Sequence, residues 1–91
     1  MPSAIHHDDA RLRFSTALDG HEAELIYRLQ HGALVIDHTG VPPAIGGRGV
    51  AGDLVKAALD YARAQGLRVV PACSYSAAYV QRHPEYADLV D

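Results

Sequence analysis

Hydrophobic and polar residues alternate along the first half of the chain and then change period. From Arg11 to Ala17, Leu12, Phe14 and Thr16 fall on one side of an extended backbone, which predicts a half-buried strand. Asp19-Gly20 follows, a tight-turn signal because both residues tolerate positive φ. Glu22 to Gln30 alternates again and groups Ala23, Leu25, Tyr27 and Leu29. His31-Gly32 marks the next turn. Ala33 to Val41 is a third, more apolar strand, expected nearer the sheet centre. Pro42-Pro43 cannot continue inside a sheet, so the strand stops there.

From about Arg48 to Gln65 the period becomes helical. Ala51, Leu54, Val55, Ala58, Leu59 and Ala62 form an apolar stripe; Asp53, Lys56, Asp60 and Arg63 face water. Lys56 and Asp60 have opposite signs at i,i+4. Gly66 fits the left-handed residue that ends a helix. Leu67 to Ala72 is a short β-rich run, joined to the third strand through the helix and so expected parallel to it, with a right-handed connection. Ser74 to Arg82 predicts a second helix, His83-Pro84 breaks it, and Glu85 to Val90 allows another turn or two. The order β-β-β-α-β-α gives an α+β domain with a mixed sheet: an antiparallel meander plus one parallel strand after a crossover helix.

The 91 residues suit a single domain with one core and one cleft. Residues 1–9 read as a polar, partly frayed leader and 10–90 as the core. His6 and His7 read as a solvated terminus rather than metal ligands, since no spaced His or Cys completes a site. A net charge of −3 gives the whole molecule no attraction for a nucleic-acid backbone. One cysteine, Cys73, excludes an internal disulfide and points to a reducing compartment. The start lacks the basic and apolar regions of a signal peptide, and no run approaches the roughly 18 apolar residues of a membrane span. The expectation is a cytoplasmic protein, a monomer or weak homodimer, with no metal, nucleic-acid or membrane partner.

The chemistry concentrates between the third strand and the main helix. Ala44-Ile45-Gly46-Gly47-Arg48-Gly49-Val50-Ala51-Gly52 holds four glycines within seven positions. Glycine permits positive φ and close approach of a ligand to the backbone. The segment opens into a helix whose first amides lack intrahelical partners, a setting that favours an anion such as a diphosphate. A glycine-rich connection that only turns a corner is the competing reading. There is no Gly-Lys-Ser/Thr of a P-loop, and the spacing is not a dinucleotide fingerprint.

With Gly49 and Ala51 at its last two defined positions, the turn resembles the Gln/Arg-x-x-Gly-x-Gly/Ala phosphate loop of the GNAT acetyltransferase superfamily. Asp37-His38-Thr39-Gly40-Val41-Pro42, Pro71-Ala72-Cys73-Ser74-Tyr75 and Arg82-His83-Pro84 narrow the resemblance to very small YjdJ-type N-acetyltransferase domains, over residues 10 to 90. It implies a truncated GNAT core in which the strands ending at Val41 and Cys73 splay around the pantetheine arm of acetyl-coenzyme A. Backbone groups from Thr39 to Val41 would pair with the pantetheine, and the amides of Gly47, Arg48, Gly49, Val50 and Ala51 would cradle the pyrophosphate. Two positions depart from the pattern. Gly46 replaces Gln or Arg, and Gly40 stands where many members carry Glu or another large residue.

The implied activity is acetyl transfer to an amine of a small molecule or a protein; a non-catalytic acyl-coenzyme A-binding module and a scaffold without coenzyme are the alternatives. The amine must lose a proton and the leaving thiolate must gain one. Cys73 ends the fourth strand before a helix that can lower its pKa, so its thiolate could accept the acetyl group or simply lie beside the thioester; the bland reading is a small buried residue. Tyr79 lies near the tyrosine that protonates coenzyme A in larger relatives, with Tyr75 as competitor. His38, on the third strand, is the candidate base, against the bland reading of a structural histidine. Arg48, Lys56 and Arg82 could meet phosphates, Arg48 first because it lies in the turn.

Overall fold

The computed structural model describes residues 4–90. Five strands form one sheet in sequence order: β1 (His6–Asp8), β2 (Arg13–Leu18), β3 (His21–Gln30), β4 (Ala33–Gly40) and β5 (Arg68–Pro71). The first four pair antiparallel, and β5 lies parallel to β4. Helix α1 (Val50–Gln65) links β4 to β5, and α2 (Ser74–Arg82) follows. This is the expected α+β mixed sheet, with one strand more.

Local chemistry accounts for each boundary. Asp19 and Gly20 have φ of 52° and 77°, and His31 and Gly32 have 52° and 79°. Both hairpins therefore close through two residues at positive φ, a twist that matches the flanking strands. Gly66 ends α1 at φ 69°, its N–H bonded to Ala62 and Arg63 carbonyls. The apolar stripe of α1 buries Leu54, Val55, Ala58, Leu59 and Ala62, joined by Val50, against Leu25, Tyr27, Leu34 and Ile36 of the sheet. Ala51, expected in that stripe, is only half-buried. The C-terminal 3₁₀ segment Pro84–Leu89 docks on α1 through Tyr86 Oη, which donates to Asp60 at 2.7 Å, and through Arg63, which bonds Asp88 and the Glu85 carbonyl.

The leader corrects one expectation. His6–Asp8 is an edge strand, with His7 opposite Phe14. The His7 ring stacks on Phe14 at 4.0 Å, meets Tyr61 edge-on at 4.4 Å and hydrogen-bonds Tyr27 Oη at 2.7 Å. An imidazole has an aromatic face, so a sequence that looks polar still packs. Burial holds the His7 pKa below its ordinary value, against the pull of Asp9 and Asp8. Leader residues 1–3 lie outside the described residues.

Candidate functional site

The glycine-rich segment begins with a 3₁₀ turn, Pro43–Ile45, whose Ile45 side chain is fully buried and anchors it. Gly46 is extended; Gly47 and Gly49 have φ of 80° and 76°. Gly49 is the N-cap of α1, and no side chain caps the helix. The first bond across that turn runs from Asp53 N–H to Gly49 O at 3.0 Å, leaving the amides of Val50, Ala51 and Gly52 ahead of the helical ladder. A cavity of about 280 Å³ lies there, lined by Val41, Ile45, Gly46, Gly47, Gly49, Val50, Ala51 and Tyr75. A Cβ placed on Gly47 or Gly49 meets no atom within 4 Å, so the space before the turn is open. Helix-terminal amides, left-handed glycines and an open cavity suit the oxygens of a pyrophosphate.

The Arg48 backbone shares this turn. Its guanidinium is paired with Asp19 of the β2–β3 turn. Lys56, about two helical turns further on, is paired with Asp60 at 2.8 Å. Arg82 is exposed at the end of α2, seven residues beyond Tyr75 and so about 10 Å along the helix axis at ~1.5 Å per residue; it does not line the cavity.

The end of β4 is shaped by a bulge. Tyr27 stands opposite Ile36, but Ile26 stands opposite His38, so Asp37 is the extra residue. Plain alternation would put His38 on the core face with Leu34 and Ile36. The bulge inverts the rest of the strand. Thr39 comes opposite the buried Leu25, on the helix-covered face, while His38 is exposed on the other. Asp37 is held by Arg28, whose Nε donates to it at 2.7 Å. A Cβ on Gly40 would stand 2.9 Å from His38 Nε2, so the imidazole occupies the space a side chain at 40 would need.

Pairing between β4 and β5 stops at Ile36 and Pro71, although β4 runs on to Gly40. A last bond joins Cys73 N–H to Ile36 O at 3.1 Å. Cys73 then caps α2: its sulfur accepts from the Ser76 N–H at 3.4 Å and lies 3.1 Å from Ser76 Oγ. Thr39 Oγ1 reaches the same sulfur from β4 at 3.6 Å. Burial pushes the thiol up, while hydrogen bonds from the Ser76 hydroxyl and amide, then Thr39, pull it down; the net pKa lies below that of an ordinary thiol. Ser76, absent from the sequence reading, is fully buried. Its signal was present as the i,i+3 spacing of a capping residue and its partner.

The two tyrosines separate. Tyr75 is partly exposed and lines the cavity. Tyr79 is buried, stacked on His83 at 3.8 Å, and burial raises the pKa of its hydroxyl. Both rings approach Gly52, the third residue of α1: a Cβ there would lie 3.4 Å from Tyr75 Oη and 3.5 Å from Tyr79 Cε2. Among the described residues no group of three or more His, Cys, Asp or Glu is placed to hold a metal, and no helix is long and apolar enough to cross a membrane.

Comparisons with known proteins agree with this geometry. Residues 13–89 match the family described as GCN5-related N-acetyl-transferase. Protein NATD1 of Mus musculus is 37% identical over 86 residues, spanning 91% of this chain and 78% of the relative. The Homo sapiens protein of that name is 36% identical, over 91% and 76% of the two chains. The solution structure of a GCN5-like protein from Staphylococcus aureus superposes with a TM-score of 0.77 at 29% identity, covering 99% of this chain and 89% of the other. A glycine turn that opens a helix beside the point where two parallel strands stop pairing is thus found in a chain that belongs to the GCN5-related N-acetyltransferase family.

Proposed function

We propose that this chain is an acetyl-coenzyme A-dependent N-acetyltransferase that acts by direct transfer to an amine, on a small molecule or on a protein lysine. The observation that carries the reading is the open cavity at the head of α1, bounded by two left-handed glycines and by Val41 of the β4 end. The amides of Gly47, Arg48, Gly49, Val50 and Ala51 would face the pyrophosphate oxygens. Backbone groups of Thr39 and Val41 would pair with the pantetheine amides, along the stretch of β4 that β5 leaves unpaired. The coenzyme supplies a thioester-activated acetyl group.

The chain's own side chains would manage the protons. His38, exposed over Gly40 on the outer face, would take the proton of the amine. Tyr75, on the cavity wall, would hold a proton for the departing sulfur, the role for which Tyr79 is too enclosed. Cys73 would lie beside the thioester, its thiol state set by Ser76 and Thr39.

Two measurements test this. Coenzyme A at about one hundred times its dissociation constant stabilises the folded protein by about 2.7 kcal/mol, so a rise in melting temperature is expected. Turnover of labelled acetyl-coenzyme A with a panel of amines tests transfer. No thermal shift at millimolar coenzyme would remove the reading altogether. A shift without turnover on any amine would favour a non-catalytic acyl-coenzyme A-binding module, the second reading, which the missing carboxylate at Gly40 supports.

A further inference from the structure

Topology brings two turns to one edge of the sheet. β3 starts at His21, and its Glu24 stands opposite Gly40 at the end of β4. The Asp19–Gly20 turn therefore projects from the edge where β4 ends and where residues 46–49 lead into α1. There Arg48 Nη1 bonds Asp19 Oδ2. Arg48 is set between Gly47 and Gly49, both at positive φ. A guanidinium pairs with carboxylate and phosphate by the same geometry, since each offers charged oxygens to its fork of N–H donors. In this structure the arginine of the proposed phosphate turn thus holds an oxyanion, and that oxyanion is the protein's own. Both side chains are more than half exposed, and a pair of that kind exchanges partners at small cost.

Resting on the reading of this turn as a pyrophosphate site, we infer that Asp19 is a resident competitor for Arg48 and tempers the affinity for the coenzyme's phosphates. Binding transfers the guanidinium from the Asp19 carboxylate to a phosphate oxygen and releases Asp19 to solvent. No bond other than hydrogen bonds changes. Asp19 acts through its hold on Arg48. The opposite arrangement, in which Asp19 holds Arg48 ready for the ligand, makes the opposite prediction.

The test is titration of coenzyme A into the wild type, Asp19→Asn, Arg48→Gln and the double variant. Asparagine suits the φ of 52° at this position and keeps the turn, which circular dichroism and melting verify. The expected result is binding about two- to fivefold tighter for Asp19→Asn at low salt, the range that loss of an exposed pair provides. The gain should shrink at about 0.5 M salt, where exposed charges are screened, and should vanish in the Arg48→Gln background. Unchanged or weaker binding by Asp19→Asn, or a gain that persists without Arg48, overturns the inference while wild-type binding keeps the coenzyme reading intact. Failure of the wild type to bind removes both.

Discussion

Replacing Ser76 with alanine should slow alkylation of Cys73 about tenfold at neutral pH while leaving the fold in place. The Ser76 hydroxyl lies 2.9 Å from the Cys73 carbonyl, to which it donates, and 3.1 Å from the Cys73 sulfur. With the thiol protonated, the sulfur can give its hydrogen to Ser76 Oγ. When the thiol ionises, the hydroxyl can turn toward the new charge. A hydrogen bond to a charged group contributes about 1.5–3 kcal/mol, and the neutral bond given up costs about 0.5–1.5 kcal/mol. The difference is about 1–1.5 kcal/mol, and ~1.4 kcal/mol is tenfold in the thiolate fraction. The Cys73 carbonyl keeps a partner, because Ala77 N–H reaches it at 3.1 Å. The Ser76 backbone N–H stays on the sulfur in either protein. Alkylation by iodoacetamide, followed from about pH 6 to 10, separates thiolate fraction from intrinsic reactivity. The inflection should move upward in Ser76→Ala, with a smaller movement in Thr39→Val, whose hydroxyl is 3.6 Å away. Coincident profiles for all three folded proteins would show that these hydroxyls do not set the thiol's state.

Gly52→Ala adds a methyl at ordinary contact distance from Tyr75 and Tyr79, so the helix preference of alanine should raise stability by about 0.5–1 kcal/mol, or several degrees in melting temperature. A fall in melting temperature would mean that the two rings cannot accommodate it. Gly49→Val places a β-branched residue at φ 76° in open space; it should abolish the coenzyme-induced thermal shift and also destabilise the protein by about 1–2 kcal/mol, whereas unaltered binding would make the turn only a turn. Burial pushes Tyr27 from 10.0 up to about 12. Its contribution to stability is present below pH 10 and is lost as pH rises through about 12. Tyr27→Phe should flatten that alkaline decline in melting temperature; an equal decline would assign it elsewhere, Tyr86 being shifted alike.

Regular elements were legible where local chemistry decides them. Positive φ at Gly20, Gly32 and Gly66 follows from glycine's freedom, and α1 and α2 end close to where glycine and proline require. Elements held by distant partners were not legible. Three polar residues carry no period, so β1 shows itself only once Phe14, Tyr27 and Tyr61 surround His7. The bulge at Asp37 is equally silent, because Leu34, Val35 and Ile36 are all apolar and give no alternation whose phase could be seen to slip. Several residues of the proposed phosphate turn and Val41 were named from sequence and line one cavity. The tie between Arg48 and Asp19 spans 29 positions and depends on two turns meeting at one sheet edge, which neither turn encodes alone.

The bulge has a consequence for the proposed chemistry. In an unbroken strand Thr39 and Gly40 would point the other way, and His38 would compete with Ile36 for the core. One extra residue turns Thr39 toward the Cys73 sulfur and His38 toward solvent, so successive residues of one strand serve opposite faces of the sheet. A thioester held where β4 and β5 part would then have the Cys73–Ser76–Thr39 group on the helix side and the imidazole on the open side. On the proposed chemistry, an acceptor amine would approach His38 from that open side without crossing the core. Gly40 belongs to the same arrangement: with no side chain at 40, the His38 ring can lie along the strand rather than away from it. Gly40, with no carboxylate to offer as a base, thereby leaves room for the imidazole proposed in that role.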